Sequence, residues 1–146
     1  MSFGTATPYI ASYVLLEKDG KIAFVLRANT SWMNNYYGLP SGKVEKNESY
    51  TAAAAREALE EVGVTVQPED LTFVHVMHRQ EGLDWVDVYF KAEKWQGEVV
   101  NAEPDVHSEL VWLDPQNLPE NTIPSVRYAL EQIQAGKTFS EYGWIE

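Results

Sequence analysis

The chain has 146 residues, of which 45% are hydrophobic and 23% charged, as is ordinary for one folded domain. Acidic residues outnumber basic ones by 22 to 11, and the net charge of −11 argues against a nucleic-acid polymer as partner, because polymer phosphates require a basic surface. Cysteine is absent, which excludes disulfides and thiolate metal sites and fits a reducing cytoplasm. No signal peptide or membrane span is readable, so we expect a cytoplasmic protein, a single domain over residues 1–146, with no membrane partner.

Two segments near the start predict a β-hairpin. Residues 8–17 and 21–27 are apolar and rich in strand-forming side chains, and the Asp19-Gly20 pair between them is a typical hairpin turn. Residues 28–37 follow as a polar loop with three aromatic residues, long enough to be functional.

The later part of the chain alternates between strand and helix patterns. Residues 71–78 and 85–91 alternate apolar and polar side chains, with a turn at Gly82, and residues 110–113 form a short strand. Residues 124–135 predict an amphipathic helix with one apolar face: Val126, Ala129, Leu130 and Ile133. The order of elements predicts an α/β fold, with helices on both faces of a mixed sheet.

An acidic helix is predicted over residues 49–62, a run of strong helix formers. Ser49 or Asn47 can cap its start, and Gly63 ends it. At about 100° per residue, one side carries Glu57, Glu60 and Glu61. The opposite side is predicted to be buried, and it carries Ala52, Ala55, Leu59 and Val62.

Three carboxylates on one helix face have two interpretations. A solvated acidic helix is the ordinary one, with Arg56 pairing with Glu60 four residues later. The density of the cluster and the glycine turn before it favour a second interpretation, a site for a hard divalent cation, which takes carboxylate oxygens as ligands.

The stretch from residue 42 to 64 resembles the Nudix box, which is Gly, five residues, Glu, seven residues, then Arg-Glu-U-x-Glu-Glu-x-Gly-U with U aliphatic. Every fixed position matches at the right spacing: Gly42, Glu48, Arg56, Glu57, Ala58, Glu60, Glu61, Gly63 and Val64. Ala58 is small for an aliphatic position, and the preceding turn has Ser41 where the family usually has glycine. The chain is similar to the MutT-like group of Nudix hydrolases, which act on nucleoside triphosphates.

The resemblance implies a Nudix-type α/β/α sandwich with a mixed sheet, and hydrolysis of a pyrophosphate bond that depends on Mg²⁺, or on Mn²⁺. It implies that Glu60 and Glu61 bind the metal, and that Glu57 is either a further ligand or the general base. Glu48 resembles a ligand that acts through water, and Arg56 a residue that orients the glutamates. Gly42 and Gly63 are expected to serve backbone conformation.

A carboxylate outside the box often completes the metal site in this family. The candidates are Glu103, Asp105 and Glu109, and we rank Glu109 first because it directly precedes the apolar strand at residues 110–113. Ser41 occupies a position that commonly offers its backbone carbonyl to the metal.

Several residues are candidates for contact with the substrate. Arg27 and Lys43 are expected to bind phosphate, with Arg79 ranked below both, and Asn121 lies where relatives place an asparagine near a purine. Aromatic walls for a base can come from Trp32, Tyr36, Tyr37 and Trp85. The three histidines show no metal-ligand spacing with the carboxylates and are expected in the core or on the surface: His75, His78 and His107.

The leading hypothesis is a nucleoside triphosphate pyrophosphohydrolase with a small-molecule nucleotide as its partner, and homodimers are common among its relatives. ADP-ribose, nucleotide sugars and dinucleoside polyphosphates are alternative substrates. A non-catalytic nucleotide sensor is an alternative of another class, disfavoured because no box glutamate is missing. A calcium-binding acidic module is disfavoured because the stretch lacks the Asp-x-Asp-x-Asp-Gly pattern. The sequence does not identify the nucleotide.

Overall fold

A computed structural model describes residues 4–145, and within that range the chain forms eight strands and two helices. In chain order they are β1 (Tyr9–Lys18), β2 (Lys21–Arg27), β3 (Tyr37–Gly38), β4 (Ser41–Lys43), α1 (Tyr50–Val62), β5 (Thr72–Glu81), β6 (Leu83–Ala92), β7 (His107–Leu113), α2 (Pro124–Gln134) and β8 (Phe139–Tyr142). A short 3-10 turn at Pro68–Asp70 precedes β5. Neither helix in the described range is long and apolar enough to cross a membrane.

The strands form one mixed sheet in the order β3-β2-β1-β6-β5-β8, with β4 paired to β1 and β7 paired to β2. The β1–β6 and β5–β8 pairs are parallel, and the other pairs are antiparallel. The predicted α/β fold with a mixed sheet is confirmed.

The β1–β2 hairpin opens beyond its tight turn, and the turn before the box, at residues 38–42, lies in the opening. Asp19 and Gly20 both have positive φ (54° and 77°), as a tight two-residue hairpin turn requires. β1 and β2 then pair only beside this turn, at Glu17↔Ile22 and Lys18↔Lys21. Beyond that point β3 pairs with β2 and β4 pairs with β1. The segment from β3 to β4 therefore crosses between the diverging strands. Residues 38–42 of this segment, here called the box turn, become part of the sheet.

Successive side chains of β1 point to opposite faces of the sheet, so this strand contributes to the hydrophobic core on both faces. Val14 and Leu16 face helix α1, whereas Leu15 faces helix α2. On the α1 side the helix contributes Ala54, Ala58 and Val62 to the core; on the α2 side Val126, Ala129 and Leu130 pack against β-strand residues such as Phe24 and Met77. The arrangement is the expected α/β/α sandwich.

The ends of α1 lie where the sequence predicts them. The Ser49 hydroxyl accepts a hydrogen bond from the Ala52 backbone N–H at 3.2 Å, which caps the start. Gly63 ends the helix in the left-handed conformation (φ 73°), and its N–H donates to the Leu59 carbonyl at 3.1 Å.

The buried side of α1 differs from the prediction. Leu59 is 54% exposed, and the buried residues are Ala53, Ala54, Ala58, Glu61 and Val62. The side of the helix that carries Glu61 therefore faces the sheet. Alanines on this side let the helix pack close to the strands. Burial of Glu61 is tolerated because the box turn supplies a hydrogen-bond donor to its carboxylate.

Three strands were not predicted, and one of them is β4, the three-residue strand Ser41–Lys43. β3 is two residues long, and β8 follows α2 as an edge strand paired in parallel with β5, from Val76↔Phe139 to Arg79↔Tyr142. β7 also begins three residues before the predicted start at residue 110. That earlier start changes which carboxylate reaches the box.

Candidate active site

Arg56 joins the start of α1 to the turn before it. Its Nε and Nη2 donate to the two oxygens of Glu48 at 2.7 and 3.0 Å, and Nη2 also donates to the Lys43 carbonyl at 3.1 Å. Its Nη1 donates to Glu57 Oε1 at 2.7 Å and lies 3.4 Å from Glu60 Oε2. Arg56 thus orients the glutamates, as expected, although its main partner is Glu48 rather than Glu60.

The Glu48 carboxylate is fully engaged with Arg56. Both of its oxygens accept hydrogen bonds from Arg56, and Oε1 also accepts one from the Glu45 backbone N–H at 2.9 Å. The hydrogen bonds from Arg56, with that from Glu45, lower the pKa of Glu48 to about 2. Its contacts are those of a fixed counter-ion for Arg56, and the structure does not bring it into the group of carboxylates around Glu61.

Gly42 gives the Glu57 carboxylate its space. A Cβ at position 42 would overlap Oε1 and Cδ of Glu57. Gly42 does not have positive φ, so a side chain is excluded by contact and not by backbone conformation. The expectation of a conformational role is confirmed for Gly63 and wrong for Gly42.

Glu61 is the buried carboxylate of the box, only 7% exposed. The Ser41 backbone N–H donates to its Oε2 at 2.8 Å, and its Oε1 lies 3.5 Å from His107 Nε2. Burial raises the pKa of Glu61 well above its usual range; the hydrogen bond and charge of Glu57 add to this, and the Ser41 N–H opposes it. Two carboxylates in this arrangement repel each other until a proton or a cation lies between them.

Glu103 and His107 complete a group around Glu61. One potential ligand atom from each of these three residues lies within 4.8 Å of the others. Burial, and then the negative charges of Glu57 and Glu60, raise the pKa of Glu103. These are the surroundings in which a divalent cation relieves repulsion.

His107 is 3% exposed, and its Nδ1 has no hydrogen-bond partner within the described residues. Burial, with the positive charge of Arg27, lowers the pKa of His107, so its ring is neutral at pH 7, the form that binds metals. His107 was not predicted among the metal ligands, because the histidines show no metal-ligand spacing with the box carboxylates; Glu61 lies 46 positions earlier in the chain. The fold brings them together.

The carboxylate ranked first outside the box does not reach it. Glu109 lies opposite Leu26 on β2 and hydrogen bonds to Tyr37. Asp105 is exposed, and its backbone carbonyl accepts a hydrogen bond from Asn29. Of the three candidates, the structure brings Glu103 to Glu61.

Glu103, and not Glu109, lies near Glu61 because of the path of the segment before β7. The Ala102 N–H donates to the Glu61 carbonyl at 3.0 Å, and the Val100 N–H donates to the Val62 carbonyl at 3.0 Å. The segment is thus fastened to the last turn of α1 before the strand begins at His107. Glu103, just before this strand, and His107, its first residue, therefore face the box, whereas Glu109 lies further along the strand.

A cleft of about 460 Å³ adjoins the box turn, within the size range of small-molecule sites. Ser41, Gly42 and Lys43 form one edge of it. The remaining lining residues come from β1, the end of β2 and the loop after it, and the β5–β6 hairpin: Ala11, Tyr13, Arg27, Ser31, Trp32, Arg79, Glu81, Leu83 and Trp85.

Both predicted phosphate-binding cations line this cleft. The Arg27 Nε donates to the Trp32 carbonyl at 3.0 Å, and its guanidinium lies 5.5 Å from the Trp32 ring centre. The Lys43 ammonium lies 4.5 Å from the ring centre of Tyr9 and 5.6 Å from that of Trp85. Of the four predicted aromatic walls, Trp32 and Trp85 line the cleft.

Asn121 has a different place from the one expected. Its side-chain amide donates to the Asn35 carbonyl at 2.9 Å, and its own carbonyl accepts from the Tyr37 N–H at 2.8 Å. It is not among the residues that line the cleft. Asn121 therefore supports the loop after β2, and the structure does not bring it to the substrate cleft.

The sequence did not predict a buried ion pair beside the cleft, of which Arg79 is a lining residue. Arg79 donates to both oxygens of Asp87, at 2.6 and 3.2 Å, and its Nη2 lies 3.4 Å from the Tyr13 hydroxyl. Arg79 is 5% exposed and Asp87 is fully buried. Burial raises the pKa of Asp87 despite the opposing charge of Arg79. The signal was available: Arg79 occupies the same strand face as the apolar Met77 two residues earlier.

Comparison with known proteins agrees with this geometry. The family model for the NUDIX domain matches residues 7–133. The chain is 32% identical over 108 residues to the 8-oxo-dGDP phosphatase NUDT18 of Danio rerio. The matched region covers 73% of this chain and 32% of that relative. It thus spans about a third of that protein's length. It is 28% identical over 120 residues to the 8-oxo-dGTP diphosphatase of Escherichia coli K12, covering 80% of this chain and 92% of that one.

Solved structures give the same result for the fold. The crystal structure of a MutT NUDIX hydrolase from Burkholderia pseudomallei superposes with a TM-score of 0.79 at 30% sequence identity. The match covers 86% of this chain and 98% of that one. The residues that the family model matches, 7–133, include the box, the lining of the cleft and the residues around Glu61.

Proposed function

This chain belongs to the NUDIX family, and we propose that it hydrolyses a pyrophosphate bond in a nucleoside tri- or diphosphate with the help of a divalent cation, Mg²⁺ or Mn²⁺. One observation carries the proposal. Glu61, Glu103 and His107 converge beside a cleft whose lining includes two positively charged side chains, Arg27 and Lys43. The acidic group suits a metal and the basic edge suits phosphate.

The residues present fit a divalent cation. Oxygen ligands from Glu61 and Glu103 are those that Mg²⁺ and Mn²⁺ prefer, and the neutral His107 ring adds a nitrogen that Mn²⁺ accepts more readily than Mg²⁺. Glu60, one turn before Gly63 and half exposed, supplies a further carboxylate on the solvent side. We propose the Ser41 carbonyl as a further ligand from the backbone. A bound divalent cation neutralises phosphate charge and lowers the pKa of a bound water.

Glu57 is proposed as the proton acceptor. Arg56 fixes one of its oxygens at 2.7 Å, Gly42 leaves it space, and its negative charge acts on the neighbouring Glu61. In the reaction the oxygen of a water attacks phosphorus, the bond from phosphorus to the leaving phosphate oxygen breaks, and Glu57 takes the proton of the water. A triphosphate yields a nucleoside monophosphate and pyrophosphate, and a diphosphate yields a monophosphate and inorganic phosphate.

Arg27 and Lys43 are proposed to bind the phosphates. Arg27 is held by the loop after β2 through Trp32 and Thr30, which limits its movement and favours ordered contact with an anion. Lys43 follows directly on Gly42, within the box, and lines the cleft. The relatives named for 8-oxo-dGDP and 8-oxo-dGTP make these two nucleotides the first substrates to test.

The test is turnover of a substrate panel by the purified chain with Mg²⁺ and with Mn²⁺. The panel contains the deoxynucleoside triphosphates, 8-oxo-dGTP, 8-oxo-dGDP, ADP-ribose, a nucleotide sugar and a dinucleoside polyphosphate. We expect release of pyrophosphate or phosphate from a nucleoside tri- or diphosphate, and no release with EDTA. Absence of turnover across the panel with both metals overturns the proposal.

A further inference from the structure

The Lys43 side chain lies over two aromatic rings at the edge of the cleft. Its ammonium nitrogen is 4.5 Å from the ring centre of Tyr9 and 5.6 Å from that of Trp85. Both distances are within the range of a cation–π interaction, in which the negative face of a ring attracts a cation. Lys43 is exposed, and its ammonium forms no ion pair within the described residues. The two rings are therefore the groups that its charge contacts.

The sheet holds these two rings together. Tyr9 and Trp85 are register partners in the parallel pair of β1 and β6, and their ring centres are 5.1 Å apart. From β5, the Arg79 guanidinium lies 4.8 Å from the Trp85 ring centre. Arg79 is itself fixed, because it donates to both oxygens of the buried Asp87. The rings thus form an ordered surface beside a flexible lysine.

The position of Lys43 follows from the pairing of β4 with β1. Lys43 is the register partner of Ala11, which lies two residues after Tyr9 on the same face of β1. Side chains related in this diagonal way on neighbouring strands are within reach of each other when one is long or aromatic. The strand register therefore places the lysine beside the tyrosine ring.

Tyr9 reaches the cleft only through Lys43. Lys43 and Trp85 are among the residues that line the cleft, whereas Tyr9 is not. Tyr9 is the first residue of β1 and is 46% exposed, so its ring is not required to fill the hydrophobic core. An exposed tyrosine at the start of a strand is ordinarily a surface residue without further role. The cation over its ring distinguishes this one.

The two basic residues of the cleft are held by different means. Arg27 donates hydrogen bonds to the Trp32 carbonyl and the Thr30 hydroxyl. Lys43 has a flexible four-carbon stem, and a long side chain of this kind loses rotamer freedom when it binds a phosphate. Aromatic rings that keep the ammonium beside the cleft remove part of that loss before a ligand arrives, which strengthens binding.

We propose that Tyr9, together with Trp85, is a positioning residue that holds the Lys43 ammonium at the edge of the cleft for contact with the phosphates of the substrate. The inference rests on the proposed function and adds a residue from outside both the box and the cleft lining. It assigns Tyr9 a role in the affinity for phosphate and none in the chemical step.

Variants at Tyr9 separate the aromatic ring from its apolar bulk. Tyr9→Leu should raise KM for the preferred nucleotide by about 3- to 5-fold with kcat unchanged, whereas Tyr9→Phe keeps a ring face and should stay within about 2-fold of wild type. Phe73→Leu removes a ring of similar exposure, 49%, that does not line the cleft, and as the matched control it should keep the wild-type KM. A wild-type KM in Tyr9→Leu, or the same increase in Tyr9→Phe, overturns the proposal.

A double-mutant cycle shows whether Tyr9 acts through Lys43. Lys43→Met removes the charge and should raise KM by about 10-fold. In that background Tyr9→Leu should have no further effect, because no ammonium is left to position. An equal effect of Tyr9→Leu with and without the Lys43 charge would assign the ring to support of the strand, which contradicts the proposal.

Binding of inorganic pyrophosphate tests the same contact without turnover. In isothermal titration calorimetry with Mg²⁺, pyrophosphate should bind Tyr9→Leu about 3- to 5-fold more weakly than wild type, and Tyr9→Phe as wild type. Equal affinity for wild type and Tyr9→Leu, or no binding to wild type, overturns the proposal. Circular dichroism melting shows that each variant is folded.

The two proposals fail in different ways. If no nucleotide is hydrolysed, the proposed function fails, and the pyrophosphate titration still decides the role of Tyr9. If nucleotides are hydrolysed and Tyr9→Leu matches wild type in KM and in pyrophosphate affinity, only the role of Tyr9 fails.

Discussion

The Glu57 carboxylate lies directly over the Cα of Gly42, so a methyl group at position 42 would occupy the space of Glu57 Oε1. The same oxygen accepts a hydrogen bond from Arg56, and Arg56 is in turn fixed by Glu48. Two residues of the box, 15 positions apart in the chain, thus define the location of one carboxylate by steric contact. This relationship gives a direct test of whether the location of Glu57 matters for the reaction.

Gly42→Ala should displace Glu57 and reduce kcat by about 100-fold, since a shift of roughly 1 Å in a reacting group has a cost of this order. Stability should change little, because the Glu57 side chain can move toward solvent. Gly136→Ala is the matched control: Gly136 has a positive φ of 77° and no atom near a Cβ. That variant should lose about 1 kcal/mol of stability and keep its activity. Equal kcat for wild type and Gly42→Ala contradicts this role of Gly42.

Glu103→Gln should weaken Mn²⁺ binding and kcat by about 100-fold, because it removes a charged oxygen from the group with Glu61 and His107. Glu109→Gln should leave both within about 2-fold, since Glu109 pairs with Leu26 on β2 and its side chain lies beside Tyr37 on β3. Electron paramagnetic resonance of Mn²⁺ and steady-state kinetics measure the two effects. The reverse ranking would restore Glu109 as the outside ligand.

The sequence was sufficient for the local features of this site. The ends of α1 follow from Ser49 and Gly63, whose capping roles depend only on residues within a few positions. The spacing of Glu57, Glu60 and Glu61 on one helix is also a local property. The α/β class, with helices on the faces of a mixed sheet, follows from the order of strand and helix patterns, whereas the strand order was not predicted.

The orientation of α1 and the outside ligand could not be predicted, because they depend on contacts between distant segments. Rules of hydrophobicity bury Leu59, yet the helix buries Glu61, since Ser41 provides a donor from 20 positions away. Glu103 reaches Glu61 because residues 100–102 hydrogen bond to the last turn of the helix. β8 was missed because a four-residue edge strand carries little periodic signal.

Glu61→Gln should raise the stability of the metal-free protein at pH 7–8 by about 1–2 kcal/mol while it removes activity, as is common for substitutions at strained functional groups. The pKa of Glu61 is raised in the folded state, so the folded protein binds a proton more readily than the unfolded chain, and ionised Glu61 opposes folding at neutral pH. Thermal unfolding in EDTA measures the effect.

The same variant should lose the stabilisation that metal gives. Wild type should gain about 2.7 kcal/mol when the cation is present at 100 times its Kd, and Glu61→Gln much less. A variant that is less stable than wild type in EDTA, or equally stabilised by Mn²⁺, contradicts the assignment of Glu61 as a buried metal ligand.

Glu48→Gln should cost about 1 kcal/mol at pH 7, the upper range for a partly exposed ion pair. The pKa of Glu48 is about 2 in the folded state and 4.5 without its partners, so its contribution is fully present above pH 4.5 and is lost as the pH falls toward 2. Urea unfolding between pH 2 and 7 should therefore show the two proteins converge at low pH. Glu69→Gln, at an exposed position in the 3-10 turn, should match wild type throughout. A difference independent of pH contradicts the pairing of Glu48 with Arg56.

The central claim is that the group of Glu61, Glu103 and His107 holds the cation on which hydrolysis depends. Single-turnover hydrolysis of the preferred nucleotide in EDTA, followed by addition of Mg²⁺, tests it most directly in wild type and Glu103→Gln. We predict no product in EDTA, full recovery of the wild-type rate with Mg²⁺, and recovery to about 1% of that rate in the variant. An unchanged rate in EDTA, or a wild-type rate in Glu103→Gln, would contradict the claim.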